Sequence, residues 1–223
     1  RTTLITLLLF LSHFILKAQQ SSFWSLNFVD PYLYNPAYAG FDRSLSANFH
    51  LINQWNDIEK GVQGQLVNAH LPLYILNGGV GFQVSRDVSG PLTVLNGGAS
   101  YNYVFQSGLG LFSLGGRIGV QQIGINGKII LTPDGNYNGG AIDHQDDHLP
   151  VNQATGLAPK LDLGGYWKSG NLEVGVGVDN IHSPEVRLSD DNFKFQTARL
   201  FQLLARYEYE LNAIAVNRED VVQ

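Results

Sequence analysis

Apolar and polar residues alternate with period two along most of this chain, and no other feature constrains the fold as strongly. Side chains two residues apart point to the same face of a β-strand, so such a segment predicts a strand whose two faces meet different environments. In the segment 172–179 the apolar face carries Leu172, Val174, Val176 and Val178, and the opposite face carries Glu173, Gly175, Gly177 and Asp179. One face suits an apolar medium and the other suits small or charged neighbours.

The same alternation recurs elsewhere and makes the expected fold class all-β. The predicted strands are 44–52, 62–71, 80–85, 93–105, 110–121, 160–167, 172–179 and 202–209. Several of them approach the roughly 9–11 residues with which a tilted strand crosses a bilayer. The mid-strand charges all fall on the polar faces, as Arg117, Asp162, Glu173 and Arg206 show.

The connections between these strands favour an antiparallel transmembrane β-barrel of the outer-membrane type. Short joins at about 72–78, 106–108 and 169–170 alternate with joins at 53–61, 86–92, 122–158 and 180–198 that are mostly longer and more polar. Outer-membrane barrels alternate in this way because their periplasmic turns are tight and their outward loops are long. No run of 18 apolar residues follows residue 20, and a closed sheet is the other structure that satisfies its backbone in hydrocarbon. We therefore expect an outer-membrane location, with lipids around the apolar faces and about eight strands in this chain.

The chain is expected to divide into four parts. Residues 1–18 predict a secretory signal peptide, because Arg1 precedes an apolar run from Leu4 to Leu16 that is too short to span a membrane and ends near Ala18. Residues 19–43 form a periplasmic lead-in rich in aromatic residues and proline, and residues 44–211 hold the barrel strands and loops. Residues 212–223 are a polar tail that lacks the alternation and is consistent with a truncated end.

Composition excludes several classes of function. With 14 basic and 19 acidic side chains the sequence has no electrostatic signature of nucleic-acid binding. The absence of cysteine excludes disulfides, thiolate metal sites and cysteine nucleophiles. No Gly-x-Ser-x-Gly, phosphate-loop or His-Glu-x-x-His motif is present, so we expect no enzyme, no catalytic residues and no cofactor.

One loop contains a dense group of potential metal ligands. The stretch from Asp143 to His148 holds three aspartates and two histidines. Imidazole and carboxylate suit several divalent metals, but the stretch lies in the longest predicted loop. A solvated outward loop is the favoured interpretation, and a metal site is the alternative.

The lead-in contains the segment from Asp30 to Gly40, which differs in kind from the strands. Two prolines restrict the backbone, and large side chains between them require burial. It is either a structured lead-in packed under the barrel mouth or a functional element, meaning a plug or a docking strip for a partner. The residues predicted to bind a partner are Tyr32, Tyr34, Asn35, Pro36 and Tyr38.

Several motifs in this order resemble the PorP/SprF family. The most specific is the run Asn35 to Gly40, and it is followed by Gln54-Trp55, Leu71-Pro72-Leu73 and the run Asn77 to Gly81. Further matches are Tyr101-Asn102-Tyr103, the run Leu114 to Arg117 and Tyr207-Glu208-Tyr209. That family comprises outer-membrane proteins associated with type IX secretion and gliding motility of Bacteroidota.

The resemblance implies a non-enzymatic barrel that helps to export proteins or holds secreted adhesins at the cell surface. The implied partners are periplasmic components of the secretion machine and a secreted adhesin-type protein. The expected partner surfaces are the lead-in and the outward loop 122–158. Members of the family are usually longer, so this chain is expected to hold part of a larger barrel, although eight strands could also close by themselves.

Three other functions remain open at this point. A pore or transporter for small solutes would use the polar faces as a conduction path, a barrel enzyme would require a hydrolytic site, and a secreted β-sandwich would need no membrane.

One pair of substitutions tests whether the two faces of the strand 172–179 meet different environments. Val176→Arg is expected to block membrane assembly, and Gly175→Ser is expected to be tolerated.

Overall fold

The computed structural model describes residues 26, 29–55, 61–137, 142–146, 149–189 and 194–209. The predicted signal peptide and the predicted polar tail lie outside these residues. Within them, no helix is both long enough and apolar enough to cross a membrane.

Eight strands form one antiparallel sheet, as the alternation predicted. The strands of this sheet are β1 (Ser46–Gln54), β2 (Val62–Leu73), β3 (Gly78–Ser89), β4 (Leu92–Ser107), β5 (Gly110–Asn126), β6 (Gln153–Ser169), β7 (Leu172–Asp179) and β10 (Leu200–Tyr207). Each strand pairs with the next one along the chain, and β7 pairs with β10. Between β7 and β10, a separate hairpin is formed by β8 (Glu185–Arg187) and β9 (Lys194–Gln196).

The register places the predicted apolar and polar faces on opposite sides of the sheet. Val176 pairs with Leu203 on β10 and with Gly165 on β6, and all three belong to the outer, convex face. Arg117 pairs with Asp162, and both side chains are buried on the inner, concave face. The period-two pattern therefore assigned the two faces correctly.

The sheet is a half-barrel with open edges. No described strand pairs with the free edge of β1 or with the free edge of β10. The all-β, antiparallel, barrel-type fold class is confirmed, including the expectation that this chain holds only part of a larger barrel.

Two of the predicted joins were wrong in their bounds. The join at 86–92 is not a loop, because β3 continues to Ser89 and β4 begins at Leu92, with a tight turn at 90–91. Gly90 has φ +56 and allows this turn, and the polar residues before it continue the ladder. The strict alternation of long and short joins fails there.

The other wrong join is 122–158, which is shorter than predicted because β5 extends to Asn126 and β6 begins at Gln153. The predicted loop 180–198 in turn contains β8 and β9.

We call the end of the sheet with the connections 74–77, 108–109 and 170–171 the short-turn end. The opposite end, with 55–61, 90–91, 127–152 and 180–199, is the long-loop end.

Two segments of the chain cover the concave face. Residues 30–41, which we call the inner segment, pack against it near the short-turn end. Near the long-loop end, Val186 of β8 is fully buried against Ile123 and Ala158. The interior of the half-barrel is therefore occupied by backbone as well as by side chains.

A close approach between β4 and β5 gives a test of the sheet geometry. An added Cβ at Gly119 would lie 2.1 Å from the carbonyl oxygen of Gly97 on β4, whereas at Gly124 its nearest neighbour would be 3.5 Å away. We expect Gly119→Ala to destabilise the sheet by about 1–3 kcal/mol through overpacking. Gly124→Ala should be neutral or slightly stabilising, because alanine lowers the entropy of the unfolded chain.

The measurement is the guanidinium unfolding midpoint of the two variants in detergent. Equal midpoints for Gly119→Ala and Gly124→Ala would contradict the close packing of β4 and β5.

Candidate functional site: the inner segment and its seat

The inner segment consists of two 3₁₀ turns, Pro31–Leu33 and Pro36–Tyr38. A proline begins each turn, where its missing N–H costs no hydrogen bond. The side chains of Asp30 and Asn35 cap the turns by accepting hydrogen bonds from the backbone N–H groups of Leu33 and Ala37. The sequence Asp-Pro followed by Asn-Pro therefore determines the local shape of the segment.

The Asn35 side chain also joins the segment to the sheet. Its Nδ2 donates to the carbonyl oxygens of Gly165 on β6 and Val176 on β7, at 3.0 and 3.1 Å. One amide thus caps a turn with its oxygen and bonds two strands with its nitrogen. Asn35 is 4% exposed, so these contacts are shielded from solvent.

Asn102 on β4 and Ser113 on β5 hold the middle of the segment. The Asn102 Nδ2 donates to the carbonyl oxygen of Ala37 and, at 2.8 Å, to that of Ala39. The Ser113 hydroxyl donates to the same Ala37 oxygen at 2.6 Å. On the other side of Asn102, its Oδ1 accepts from the backbone N–H of Gly79. Buried carbonyl groups of the segment are thereby satisfied by side chains of the wall.

Arg117 on β5 binds the first turn. Its two terminal nitrogens donate to the carbonyl oxygens of Tyr32 at 2.7 Å and Leu33 at 3.3 Å. The guanidinium carbon lies 5.0 Å from the centre of the Tyr32 ring, within the range of a cation–π contact. Asp162, which is fully buried on β6, compensates the charge from 3.8 Å.

The wall also binds both ends of the segment. Asp30 accepts a hydrogen bond from the Asn68 side chain and lies 3.3 Å from His50 Nε2. At the other end, the backbone N–H of Gly40 donates to His70 Nδ1 at 3.0 Å. The bond from Gly40 requires Nδ1 of His70 to carry no proton, so this imidazole is an acceptor here.

An aromatic cluster fills the space beneath the second turn. Tyr38 and Phe41 pack edge-on against Tyr166 of β6, each with its ring centre 5.0 Å from that of Tyr166. Burial raises the pKa of the Tyr38 phenol, and this outweighs the opposite effect of the neighbouring Arg206 guanidinium. The Tyr38 phenol therefore stays neutral at physiological pH.

Glycines of the wall let the segment approach closely. A Cβ added at Gly115 would lie 2.7 Å from the backbone of Ala37, and one at Gly164 would lie 2.0 Å from Asn35 Oδ1. Gly175 is equally constrained, because its Cβ would lie 2.8 Å from the Tyr166 ring. The expectation that Gly175→Ser is tolerated was therefore wrong, since the inner face at this position is packed rather than open.

The structure brings the predicted partner-binding residues together but orients them inward. Tyr32 is 0% exposed and Tyr38 is 7% exposed, Asn35 and Pro36 are buried, and Tyr34 is half-buried. A partner could reach the buried side chains only if the segment left the wall. Their assignment to partner binding stays a prediction.

Sequence reasoning missed the residues that hold the segment in place. Asn102, Ser113 and Arg117 were assigned to the polar faces of strands without a role toward this segment, and His70 was assigned to a strand without a face. The residue types could have revealed this role. Asparagine, serine and arginine side chains carry hydrogen-bond donors, and on an otherwise glycine-rich face they are suited to binding backbone carbonyls.

The loop with the potential metal ligands is only partly described, since Asp147 and His148 lie outside the described residues. His144 is buried, and its Nδ1 lies 3.2 Å from the Tyr137 hydroxyl, so this residue does not behave as part of a solvated loop. In the described part of the chain, no group of three or more His, Cys, Asp or Glu side chains is placed to hold a metal ion.

One substitution tests whether the wall holds the inner segment. Asn102→Leu removes the donor to the Ala39 carbonyl and the acceptor of the Gly79 N–H, while Ser113 still donates to the Ala37 carbonyl. Each buried group that is left unsatisfied costs about 1–3 kcal/mol. We expect residues 30–41 to exchange their amide hydrogens at least tenfold faster, as measured by hydrogen-exchange mass spectrometry, while the strands stay protected. Asn53→Leu on the outer face serves as the matched control, and unchanged exchange in Asn102→Leu would refute the anchoring role.

Comparisons with known proteins agree with this architecture. The family model described as "Type IX secretion system membrane protein PorP/SprF" matches residues 16–220, which is most of the chain. No curated protein and no solved structure matches the chain. The matched region includes the inner segment and all eight strands that form its wall, and the chain therefore belongs to the PorP/SprF family of type IX secretion system membrane proteins.

Proposed function

We propose that the protein is a non-enzymatic outer-membrane barrel that serves type IX export of proteins or the surface attachment of secreted adhesins, including those used in gliding. Membership of the family places it with the secretion system. The observation that carries the more specific proposal is the division of the sheet into an apolar outer face and an inner face occupied by the protein's own backbone.

The outer face supports contact with lipid. Its exposed residues include Phe49, Leu51, Phe82, Val84, Leu114, Ile118, Val120, Leu163, Val176, Phe201 and Leu203. Near the short-turn end, a row of aromatic rings crosses three strands: Tyr103 and Phe105 of β4, Phe112 of β5 and Trp167 of β6, with successive ring centres 5.5–6.3 Å apart. Such rows lie at the headgroup level in outer-membrane barrels.

The short-turn end is the proposed periplasmic side. Short turns face the periplasm in barrels of this type, and the inner segment closes the concave face at that end. The exposed stretch 42–45 joins the inner segment to β1 there. A periplasmic component of the secretion machine would therefore meet this stretch before the buried side chains of Tyr32 or Tyr38.

A pore for small solutes is the alternative. It is less well supported because charged inner residues are bound to one another or to the inner segment instead of lining a water path. Glu173, for example, accepts from Tyr166 and Lys168 at 2.7 Å and from Arg206 at 2.6 Å. A conduction path needs charges that remain accessible to ions.

A matched pair of arginine substitutions tests the location. Val176 lies at the middle of β7 on the outer face, and Gln202 lies on the inner face of β10, beside Asp179 at 2.8 Å. Arginine at a lipid-facing midpoint costs roughly 2–4 kcal/mol, so we expect Val176→Arg to reduce the folded, membrane-embedded fraction strongly. Gln202→Arg adds the same charge next to an aspartate and should assemble normally.

The readout is the heat-modifiable mobility of protein extracted from the outer-membrane fraction. Equal assembly of Val176→Arg and Gln202→Arg would contradict a lipid-facing outer surface.

Deletion of the gene in the native host tests the function. We expect secreted or surface-attached proteins of the type IX system to decrease, as measured by quantitative proteomics of the medium and the cell surface, and to recover on complementation. Normal secretion combined with impaired solute uptake, and stable ion conductance of the purified protein in planar bilayers, would instead support the pore.

A further inference from the structure

We propose that Arg86, on the outer face of β3, is the centre of a site that binds the phosphate group of a membrane lipid. The site faces the leaflet around the long-loop end, and the amides of Gln63 and Gln65 on β2 form its other side. The inference rests on the proposed membrane location and is independent of the proposed role in secretion.

Arg86 is the one charged side chain on the outer face of the eight strands, all of whose residues the structure describes. It lies two residues from the exposed Val84 and pairs with the exposed Leu95 on β4, which places it on this face. Its side chain is exposed and forms no ion pair with another described residue. A cation on a lipid-facing surface requires water or an anion as its partner.

The position of Arg86 marks one edge of the apolar band. On β4, the outer-face residues within 97–105 and their partners in register on the other strands are apolar, aromatic, glycine or proline. This stretch extends about 30 Å along the strand, and a tilt of about 40° reduces its height to about 23 Å. Outer-membrane barrels carry an apolar band about 25 Å tall. The next row, which contains Arg86, therefore lies where the hydrocarbon ends and the headgroups begin.

Neutral hydrogen-bond donors lie beside Arg86. Gln65 pairs with Arg86 across the β2–β3 ladder, and Gln63 is the next outer-face residue towards the long-loop end. Both side chains are exposed, and paired side chains on one face of a sheet lie close enough to contact one ligand. A guanidinium and two carboxamides offer N–H groups to the oxygens of a phosphate. Because Arg86 is the one charge on this face, the site is positive and selects an anion.

The surface below the site favours an anion that carries acyl chains. Towards the middle of the membrane, the row next to Arg86 contains Val84, Val67 and Phe49, which are paired across three strands and exposed. A lipid can place its phosphate against Arg86 and its chains along this apolar surface. Free phosphate would gain the polar contacts but not the burial of apolar area.

Binding of defined lipids to the folded protein tests the site. The full chain is purified in dodecyl maltoside, and native mass spectrometry measures the dissociation constants of dimyristoyl phosphatidic acid and of dimyristoylglycerol, which has the same chains without the phosphate. Arg86→Gln removes the charge from the site. Arg187→Gln is the matched control, because Arg187 is exposed on the β8–β9 hairpin, which packs against the concave face.

We expect the unchanged protein and Arg187→Gln to bind phosphatidic acid about tenfold more tightly than dimyristoylglycerol, as one charge-assisted hydrogen bond predicts. Arg86→Gln should lose this preference, and an equal concentration of inorganic phosphate should not displace the lipid. Heat-modifiable mobility confirms that each variant is folded.

Equal affinity for the two lipids, an unchanged preference in Arg86→Gln, or displacement of the lipid by inorganic phosphate would overturn the proposal. These outcomes do not depend on secretion, and Val176→Arg tests the membrane location separately. Failure of the lipid site is therefore distinguishable from failure of the proposed function.

Discussion

The structure depends on the need to satisfy the buried backbone of the inner segment. A segment of two 3₁₀ turns leaves carbonyl groups that its own N–H groups do not reach, and in a shielded interior each one requires another donor. The wall supplies these donors through Asn102, Ser113 and Arg117, and the segment returns a bond through Asn35. The glycines opposite the segment follow from the same requirement, because the backbone of the segment must come within hydrogen-bonding distance of the wall.

This occupation of the interior also sets a minimum size for the complete barrel. A closed barrel of about eight strands has an interior that side chains alone can fill. Here the concave face also holds the inner segment and Val186 of the β8–β9 hairpin. The sheet is accordingly open, and the free edges of β1 and β10 have no partner strand among the described residues. In a bilayer such edges require partners, so further strands are needed to close the proposed barrel.

The strands and their faces were predictable because each strand satisfies a local rule. Alternation alone placed Val176 on the outer face and Glu173 on the inner face, since the pattern repeats every second residue. The turn at Gly90 was missed because Arg86, Asp87 and Ser89 resemble loop residues, although they continue the ladder into a tight turn. Polarity by itself does not distinguish an inward-facing strand residue from a loop residue.

The seat of the inner segment could not be predicted in the same way, since it joins residues that are far apart in the sequence. Asn35 bonds to Gly165 and Val176, and Ala37 bonds to Asn102 and Ser113. The sequence indicated that the segment requires burial, but one sequence contains no information about which strand faces which turn. The packing of Tyr166 against Gly175, which made the expected tolerance of Gly175→Ser wrong, is a contact of the same non-local kind.

The most direct test of the account is the position of the inner segment in the assembled protein. Tyr32 has its hydroxyl 2.8 Å from Ser100 Oγ, and the same hydroxyl would lie 2.6 Å from a Cβ at Gly81. An aryl azide incorporated at Tyr32 and photolysed in isolated membranes should therefore insert into β3 or β4 near these two residues, as mapped by mass spectrometry. Insertion into lipid, into another protein or into residues of the outer face would contradict the account.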